Sequence, residues 1–247
     1  MTFSKLHPFE ERAVAFLDVL GFTRLIQDAE TMPHKQPELF GIISVLDGHV
    51  KYDNDSVAAE VPDPVKPKYI FISDSIIFSA PLRHDRYDGL GIVIAKSIQI
   101  AHKLMQMGYL LQGGINVGSV WHTGANIFGT GYIEAYKTQD ALTHPQIVLT
   151  DEAAAHWQSE LASKVGQLCF TDAGGKLNVD LLNPNYLDYA TTHMYGGVDS
   201  QFLAYRTWIT SQQANFPAGS SPRKKWDWAA EYFNTTLVKH GINVAPI

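Results

Sequence analysis

Residues 12–20 read Arg-Ala-Val-Ala-Phe-Leu-Asp-Val-Leu, a nearly continuous apolar run that contains one carboxylate. Such a run is typical of a β-strand that is buried on both faces of its sheet. Gly21 ends the run, and the apolar spacing that follows predicts helices over 22–29 and 37–46. The chain therefore begins with a buried strand followed by helices that can cover it.

A second β-rich region, residues 69–80, is divided by Ser73-Asp74-Ser75, which predicts a hairpin with a tight polar tip. The apolar spacing over 89–107 predicts an amphipathic helix packed against a sheet. Further predictions are a strand beginning at 48–52, a surface loop over 53–68, strands over 110–120 and 146–150, helices over 130–142 and 152–162, and a hairpin over 168–182. This alternation predicts an α/β fold, a sandwich of a mixed sheet with flanking helices and an antiparallel hairpin.

The segment 184–247 differs from the rest of the chain in its many aromatic residues. Five of its apolar residues fit one helical stripe: Trp226, Ala229, Ala230, Phe233 and Leu237. We expect an aromatic-rich extension that packs on the same domain. Contact with a second copy of the chain is the alternative role for this stripe.

Composition excludes several classes of protein. The chain has 247 residues, 45% of them hydrophobic and 18% charged, which is a globular profile. Its net charge of -6 and scattered basic residues argue against nucleic-acid binding. Cys169 is the single cysteine, so the sequence has neither a disulfide framework nor a cysteine-ligated zinc site. No apolar run approaches about 18 residues, and the polar N-terminus has no signal core. We therefore expect a cytoplasmic protein without membrane contact.

Asp18 and Asp74 are the residues that point to chemistry. Each lies within or at the end of a very apolar β segment, where a charge is costly unless it is paired or binds a metal. If the first strand lies beside the hairpin, both carboxylates reach one edge of the sheet. Two Mg²⁺ or Mn²⁺ ions would relieve their repulsion and create a phosphoryl-transfer site. The alternatives are an aspartate bonded to backbone and an ordinary polar turn.

Gly21-Phe22-Thr23 follows Asp18 directly and opens the first predicted helix. Glycine allows the turn, and the free N–H groups of a helix N-terminus favour an anion such as a triphosphate. Four histidines lack the spacing of a metal site and receive no role: His84, His102, His122 and His144.

Several segments resemble the class III nucleotide cyclases. Residues 15–23 resemble the first metal motif of that family, and residues 69–75 are similar to its second metal motif. The later glycine-rich strands of the family resemble residues 113–119 and 126–131. The resemblance covers about residues 10–155 and, more weakly, the hairpin at 168–182. It implies a class III cyclase-like mixed sheet, with a catalytic domain over 10–183 and the extension over 184–247.

Departures from the usual family pattern point to a narrower group. Purine cyclases commonly carry a polar base-reading residue where this chain has Ile70, and the second base-reading position falls at Asn126. The family's transition-state Asn and Arg fall at Ile133 and Lys137. Together with Glu134-Ala135-Tyr136 and the aromatic tail, the chain most resembles the bacterial Pycsar pyrimidine cyclases. Members of that group make cyclic UMP or cyclic CMP after phage infection, and the product activates a separate effector.

The resemblance implies a uridylate cyclase that converts UTP to 3′,5′-cyclic UMP and pyrophosphate. Asp18, Asp74 and the backbone carbonyl of Val19 would hold two Mn²⁺ or Mg²⁺ ions, and Lys137 is the nearest cation to the missing Arg. The expected substrate-binding residues are Gly21, Phe22, Thr23, Ile70 and Asn126. Active sites would lie at the interface of a head-to-tail homodimer. A cytidylate cyclase using CTP and a non-catalytic nucleotide-binding module remain alternatives, whereas Ile70 argues against a purine cyclase.

Overall fold

The computed structural model describes residues 9–50, 66–187 and 196–247, without the side chains of residue 45 and residues 47–50. The first half contains β1 (Glu10–Leu20), α1 (Phe22–Thr31), α2 (Gln36–Val50), β2 (Lys68–Ile72), β3 (Ser75–Pro81), β4 (Arg83–His84), β5 (Tyr87–Asp88) and α3 (Gly89–Gln106). The second half contains β6 (Leu110–His122), β7 (Ile127–Phe128), α4 (Thr130–Asp140), β8 (Ile147–Leu149), α5 (Asp151–His156), α6 (Ala162–Val165), β9 (Cys169–Thr171), β10 (Leu177–Val179), α7 (Val198–Asn215) and α8 (Ser221–His240). A π-helical turn, Trp157–Leu161, joins α5 to α6.

One mixed sheet organises these elements. Its strand order is β2-β3-β1-β6-β8-β10-β9, and β7 folds back onto the end of β6. All neighbouring strands are antiparallel except β6 and β8, which are parallel. β1 lies at the centre and is paired along most of its length on both sides, as its continuous apolar run predicts. The expected mixed sheet with flanking helices and an antiparallel hairpin is confirmed.

The two faces of the sheet are covered differently. Helices α1, α2 and α3 bury one face, where Ala13, Ala15, Leu17 and Val19 of β1 join the main hydrophobic core. The opposite face is covered by α4, which packs on β1 and β6. Because side chains alternate along a strand, the even-numbered residues of β1 point to this second face. We call it the α4 face.

Glycines allow α4 to lie close to the sheet. A Cβ on Gly114 would come within 2.3 Å of the Ala135 carbonyl oxygen, and one on Gly131 would come within 2.7 Å of Val120. Asn116 donates from Nδ2 to the Gly131 carbonyl oxygen at 3.2 Å. The glycine-rich character of 113–131 therefore has a packing cause that is independent of any ligand.

The C-terminal helices form a second hydrophobic cluster against the sheet domain. Residues of α7 and α8 pack together with Met105, Leu110 and Leu182, and the five stripe residues of α8 are all buried. Asp180, which is 1% exposed, accepts hydrogen bonds from Tyr232, Lys239 and His240 of α8. These contacts hold α8 to the residue that directly follows β10 in the same chain.

Some boundaries differ from the predictions. Residues 48–50 belong to the end of α2, so the strand expected to begin there is wrong over those positions. Each further helical residue adds one backbone hydrogen bond, which favours continuing an established helix. Residues 51–65, which hold most of the predicted loop, lie outside the described residues. Among the described helices, none is long and apolar enough to span a membrane.

Candidate active site

The structure brings Asp18 and Asp74 to one end of the central strands. Asp18 pairs in register with Ser75 of β3, directly after Asp74. The Val19 N–H donates to the Asp74 carbonyl oxygen at 3.0 Å, which fixes the hairpin tip against the end of β1. Ser73 forms the tight turn with a positive φ of 58°. The two carboxylates therefore meet although 55 residues separate them along the chain.

The pair is electrostatically unfavourable when both carboxylates are ionised and no cation is near. Burial, and secondly the negative charge of Asp74, raise the pKa of Asp18 to about 6. Both carboxylates are half-buried rather than sealed, so a ligand can reach them. A carboxylate that resists ionisation beside a second carboxylate is stabilised when a divalent cation binds between them.

The start of α1 completes this end of the sheet. Gly21 has a φ of 90° and lies before the first helical turn, which carries neither an acidic residue nor a side-chain cap. Thr23 donates from Oγ1 to Asp74 Oδ2 at 3.3 Å. Phe22 is buried, whereas Gly21 and Thr23 are exposed. The uncapped N–H groups beside the carboxylates can bind a phosphate oxygen.

The oxygen atoms at this end of the sheet could bind Mg²⁺ or Mn²⁺ if waters and substrate phosphates supplied the remaining ligands. Carboxylate oxygens are the ligands these ions prefer, and such sites commonly use one or two carboxylates with waters and substrate phosphates. Within residues 9–50, 66–187 and 196–247, no group of three or more His, Cys, Asp and Glu side chains could hold a metal ion. Asp18, Asp74 and the Val19 carbonyl therefore suit ions that arrive with a phosphate substrate.

The two residues predicted from the later motifs, Asn126 and Lys137, take different places in the structure. Asn126 lies in the turn between β6 and β7, beyond the point where Glu10 pairs with Val120. Asp18 pairs with Gln112, and Val120 lies eight residues farther along the strand, roughly 26 Å at about 3.3 Å per residue, so Asn126 is more distant still. Lys137 is exposed on α4 and forms an ion pair with Glu134 at 2.8 Å. A single chain does not bring Asn126 to the carboxylates, whereas the second half of α4 lies close to them, because Gln112, the strand partner of Asp18, donates to the Gln139 carbonyl oxygen at 3.3 Å.

Ile70 shares a sheet face with the carboxylates. It pairs with Ile77 in the β2–β3 hairpin, and the register places both on the α4 face together with Asp18. The side chain of Ile70 is half-buried. It can offer apolar contact to a ligand on that face but no hydrogen bond.

Sequence reasoning missed Lys225. This α8 residue lowers the pKa of Asp18 through its positive charge, against the effects of burial and of Asp74. The neighbouring α8 residues support the placement, because Trp228 stacks on His144 with ring centroids 6.0 Å apart and Leu20 packs on the Trp226 cluster. Nothing in the local pattern around Lys225 relates it to a residue near the N-terminus.

Similarity to known proteins is found among solved structures. No protein-family model matches the chain, and no curated protein sequence matches it. Similar solved structures include the adenylyl cyclase CyaB from P. aeruginosa, at 15% identity and a TM-score of 0.45, covering 69% of this chain and 92% of that one. The guanylate cyclase domain of RhGC from Catenaria anguillulae in complex with GTP has 13% identity and a TM-score of 0.48, covering 70% and 96%. The adenylate/guanylate cyclase/hydrolase from Silicibacter pomeroyi has 12% identity and a TM-score of 0.43, covering 69% and 94%.

Proposed function

We propose that this chain is a nucleotide cyclase that converts UTP to 3′,5′-cyclic UMP and pyrophosphate. The observation that carries the proposal is the meeting of Asp18 and Asp74 beside the uncapped start of α1. The raised pKa of Asp18 fits a carboxylate pair that is relieved by divalent cations. The resemblance of residues 15–23 and 69–75 to the metal motifs of class III cyclases supports the same reaction.

In this proposal, the chain's own residues position the triphosphate. Asp18, Asp74 and the Val19 carbonyl hold the metals, while the N–H groups at Gly21, Phe22 and Thr23 bind phosphate oxygens. Two Mg²⁺ or Mn²⁺ ions would neutralise phosphate charge and lower the pKa of the ribose 3′-hydroxyl. The 3′-oxygen forms a bond to the α-phosphorus as the bond to pyrophosphate breaks, and the hydroxyl proton leaves to water. Positioning and charge neutralisation supply most of the acceleration.

A homodimer would complete the site. Asn126 lies too far from the carboxylates to share a nucleotide with them within one chain, whereas a second copy packed head-to-tail would bring its own Asn126 end over them. Exposed apolar side chains on this side of the molecule support such packing. They are Ile72, Ile133 and Tyr136. In the dimer, Asn126 and Ile70 would contact the base, and Lys137 would neutralise charge on the phosphates.

The proposed biological role follows from the Pycsar resemblance. The cyclic nucleotide would act on a separate effector as part of a cytoplasmic antiphage defence.

A cytidylate cyclase that uses CTP is the nearest alternative. One observation favours a non-catalytic nucleotide-binding module. Lys137, the cation nearest to the family's Arg position, is already paired with Glu134.

Incubation with each of the four nucleoside triphosphates and Mn²⁺, with mass detection of cyclic products, tests the assignment. We expect cyclic UMP from the wild-type chain and none from Asp18→Asn or Asp74→Asn. The matched control is Asp140→Asn, an exposed carboxylate at the end of α4. A mainly purine product would overturn the pyrimidine assignment. Nucleotide binding without any cyclic product would favour the binding module.

A further inference from the structure

The inward face of α8 packs against the end of the sheet that holds Asp18. Trp228 and Ala229 of this face line a small apolar cavity together with Leu110, the first residue of β6. Leu110 pairs in register with Leu20, two residues after Asp18. Leu20 itself packs on the hydrophobic cluster that contains this part of α8. The C-terminal extension therefore adjoins the carboxylates of its own chain.

A second set of contacts leads to the same place. Gln112, the strand partner of Asp18, donates to the Gln139 carbonyl oxygen near the end of α4. His144 lies in the loop that follows α4 and stacks on Trp228, with the two ring planes 9° apart. The start of α8 therefore lies beside the loop that borders the Asp18 end of the strands.

Lys225 lies on this inward face of α8. It precedes Trp228 and Ala229 by one helical turn, and its side chain is half-buried. Asp18 and Leu20 share the α4 face, because side chains alternate along a strand. By packing on Leu20, α8 brings Lys225 to the side of the sheet that holds the carboxylates.

The charge of Lys225 is not compensated by another residue. Lys225 forms no hydrogen bond or ion pair with any residue that the structure describes. Burial and the charge of Asp74 raise the pKa of Asp18, and the positive charge of Lys225 acts against both. Two cations on neighbouring elements, Arg24 and Lys137, are instead exposed, and each is paired with an acidic residue of its own helix, at 3.8 and 2.8 Å. The ammonium group of Lys225 therefore keeps its N–H donors for an anion.

The proposed reaction leaves negative charge to be neutralised at this place. Two carboxylates and a triphosphate carry about six negative charges near pH 7, of which two divalent cations neutralise about four. Further negative charge develops on the pyrophosphate as its bond to the α-phosphorus breaks. Cations fixed beside the transferring phosphates stabilise such charge in phosphoryl transfer.

The position of Lys225 relates it to the phosphates and not to the base. In the proposed arrangement, the phosphates lie between the carboxylates and the start of α1, whereas the base lies toward the second copy's Asn126. Leu20, which α8 contacts, is the last residue of β1 and leads directly into the turn before α1. A phosphate chain that runs from Asp18 to the start of α1 would pass beside Lys225.

We propose that the C-terminal extension contributes to the active site of its own chain, with the Lys225 ammonium group binding the β- and γ-phosphates and the departing pyrophosphate. The inference rests on the proposed cyclase function and gives the extension a part in that site. The 3′-oxygen still forms the bond to the α-phosphorus, and pyrophosphate leaves with the electron pair of the broken bond. Lys225 contributes charge and hydrogen bonds and transfers no proton.

Binding of inorganic tripolyphosphate with Mn²⁺, measured by calorimetry on the full chain, tests the proposal without turnover. Lys225→Met should weaken this binding by about tenfold, because a charge-assisted hydrogen bond is lost while the apolar stem is kept. Lys225→Arg should restore most of the affinity. The matched control is Lys224→Met, which removes the same charge from an exposed neighbour and should leave the affinity unchanged. Circular dichroism checks folding, and Lys225→Gln repeats the test if the methionine variant does not fold.

The length of the phosphate chain separates phosphate binding from a purely structural role. UMP with Mn²⁺ reaches only the α-phosphate position, so its affinity should be equal in the wild type and Lys225→Met. A similar loss of affinity for UMP and for tripolyphosphate would mean that the substitution disturbs the carboxylates, and would overturn phosphate binding by Lys225. In turnover, Lys225→Met should lower kcat/KM by about tenfold or more for every triphosphate that the wild type cyclises, without changing the base preference.

The two proposals fail in different ways. A wild-type chain that forms a cyclic product, while Lys225→Met keeps the wild-type tripolyphosphate affinity and kcat/KM, would overturn the role of Lys225 alone. Tripolyphosphate binding that depends on both Lys225 and Asp18, without a cyclic product from any triphosphate, would support the phosphate site and overturn the cyclase.

Discussion

At the scale of single residues, Asp18 shows what it costs to bring two carboxylates together in a partly buried place. Its carboxylate is partly desolvated beside a second carboxylate, and its pKa is raised to about 6 from an ordinary value of about 3.9. The folded state therefore binds this proton more tightly than the unfolded chain does. The resulting stabilisation is present below about pH 4 and is lost as the pH rises through about 6.

The first prediction concerns Asp18→Asn in the metal-free protein. At pH 8 the substitution should raise the free energy of unfolding by about 1–2 kcal/mol, because the uncharged amide avoids the desolvation and repulsion. At pH 4 the gain should vanish. Chemical denaturation at both pH values measures the difference, with Asp140→Asn as the exposed control. An equal gain at both pH values would contradict the raised pKa.

The second prediction concerns Lys225. Its charge opposes the rise in the Asp18 pKa, so Lys225→Ala should move that pKa further upward. The neighbouring Lys224→Ala should have a smaller effect, because Lys224 is not among the charges that act on Asp18. Carboxyl ¹³C NMR titration of the metal-free protein follows the pKa directly. Identical Asp18 titration curves in the wild type and Lys225→Ala would show that α8 does not act on the site.

At the scale of elements, the close approach of α4 to β6 depends on glycine. The hydrogen atoms of Gly114 leave space for the Ala135 carbonyl, which a methyl group would remove. Burying Asn116 against Gly131 ties the start of α4 to the same strand. The position of Ile133 and Lys137 on the outer side of α4 follows from this packing.

The third prediction concerns Gly114→Ala. Its Cβ would contact backbone 2.3 Å away, so the substitution should lower the free energy of unfolding by about 1–3 kcal/mol and displace α4. Gly124→Ala is the matched control, since a Cβ there has no atom within 4 Å, and it should change stability by less than about 0.5 kcal/mol. Thermal or denaturant unfolding compares the two. Equal stabilities would mean that α4 lies farther from the sheet.

At the scale of the whole molecule, the residues proposed to bind the metals and the nucleotide lie at both ends of one sheet face. Asp18, Asp74 and the α1 start lie at one end, and Asn126 lies at the other. In the proposed homodimer, a second copy joins these two ends around one substrate. The exposed Ile72, Ile133 and Tyr136 side chains are available for that contact.

The fourth prediction is complementation between two inactive variants. Asp18→Asn and Asn126→Ala chains should each be nearly inactive alone. Random mixing should restore about a quarter of the wild-type activity, because half of the dimers are mixed and each mixed dimer has one intact site. Ile133→Glu should prevent both dimerisation and complementation, as sedimentation would show. Full activity of the isolated Asn126→Ala chain would exclude a role for Asn126 in the site.

The sequence by itself determined the features that depend on neighbouring residues. The apolar run of β1, the Ser73-Asp74-Ser75 hairpin and the helical stripe of α8 are all local patterns, and the structure confirms each of them. Local signals also showed that Asp18 and Asp74 were unusual, because a charge in an apolar strand needs a partner. The boundary at 48–50 was missed because the propagation of a helix is decided by hydrogen bonding as well as by residue type.

Tertiary structure alone decided which distant residues share a site. Lys225 acts on Asp18, and Arg12, Ser79 and His122 form one hydrogen-bonded chain, although no spacing along the sequence relates them. His122 had no predicted role, since a lone histidine gives no local signal. Strand register and helix packing set these contacts, and both depend on how the whole chain buries its apolar surface rather than on any short segment.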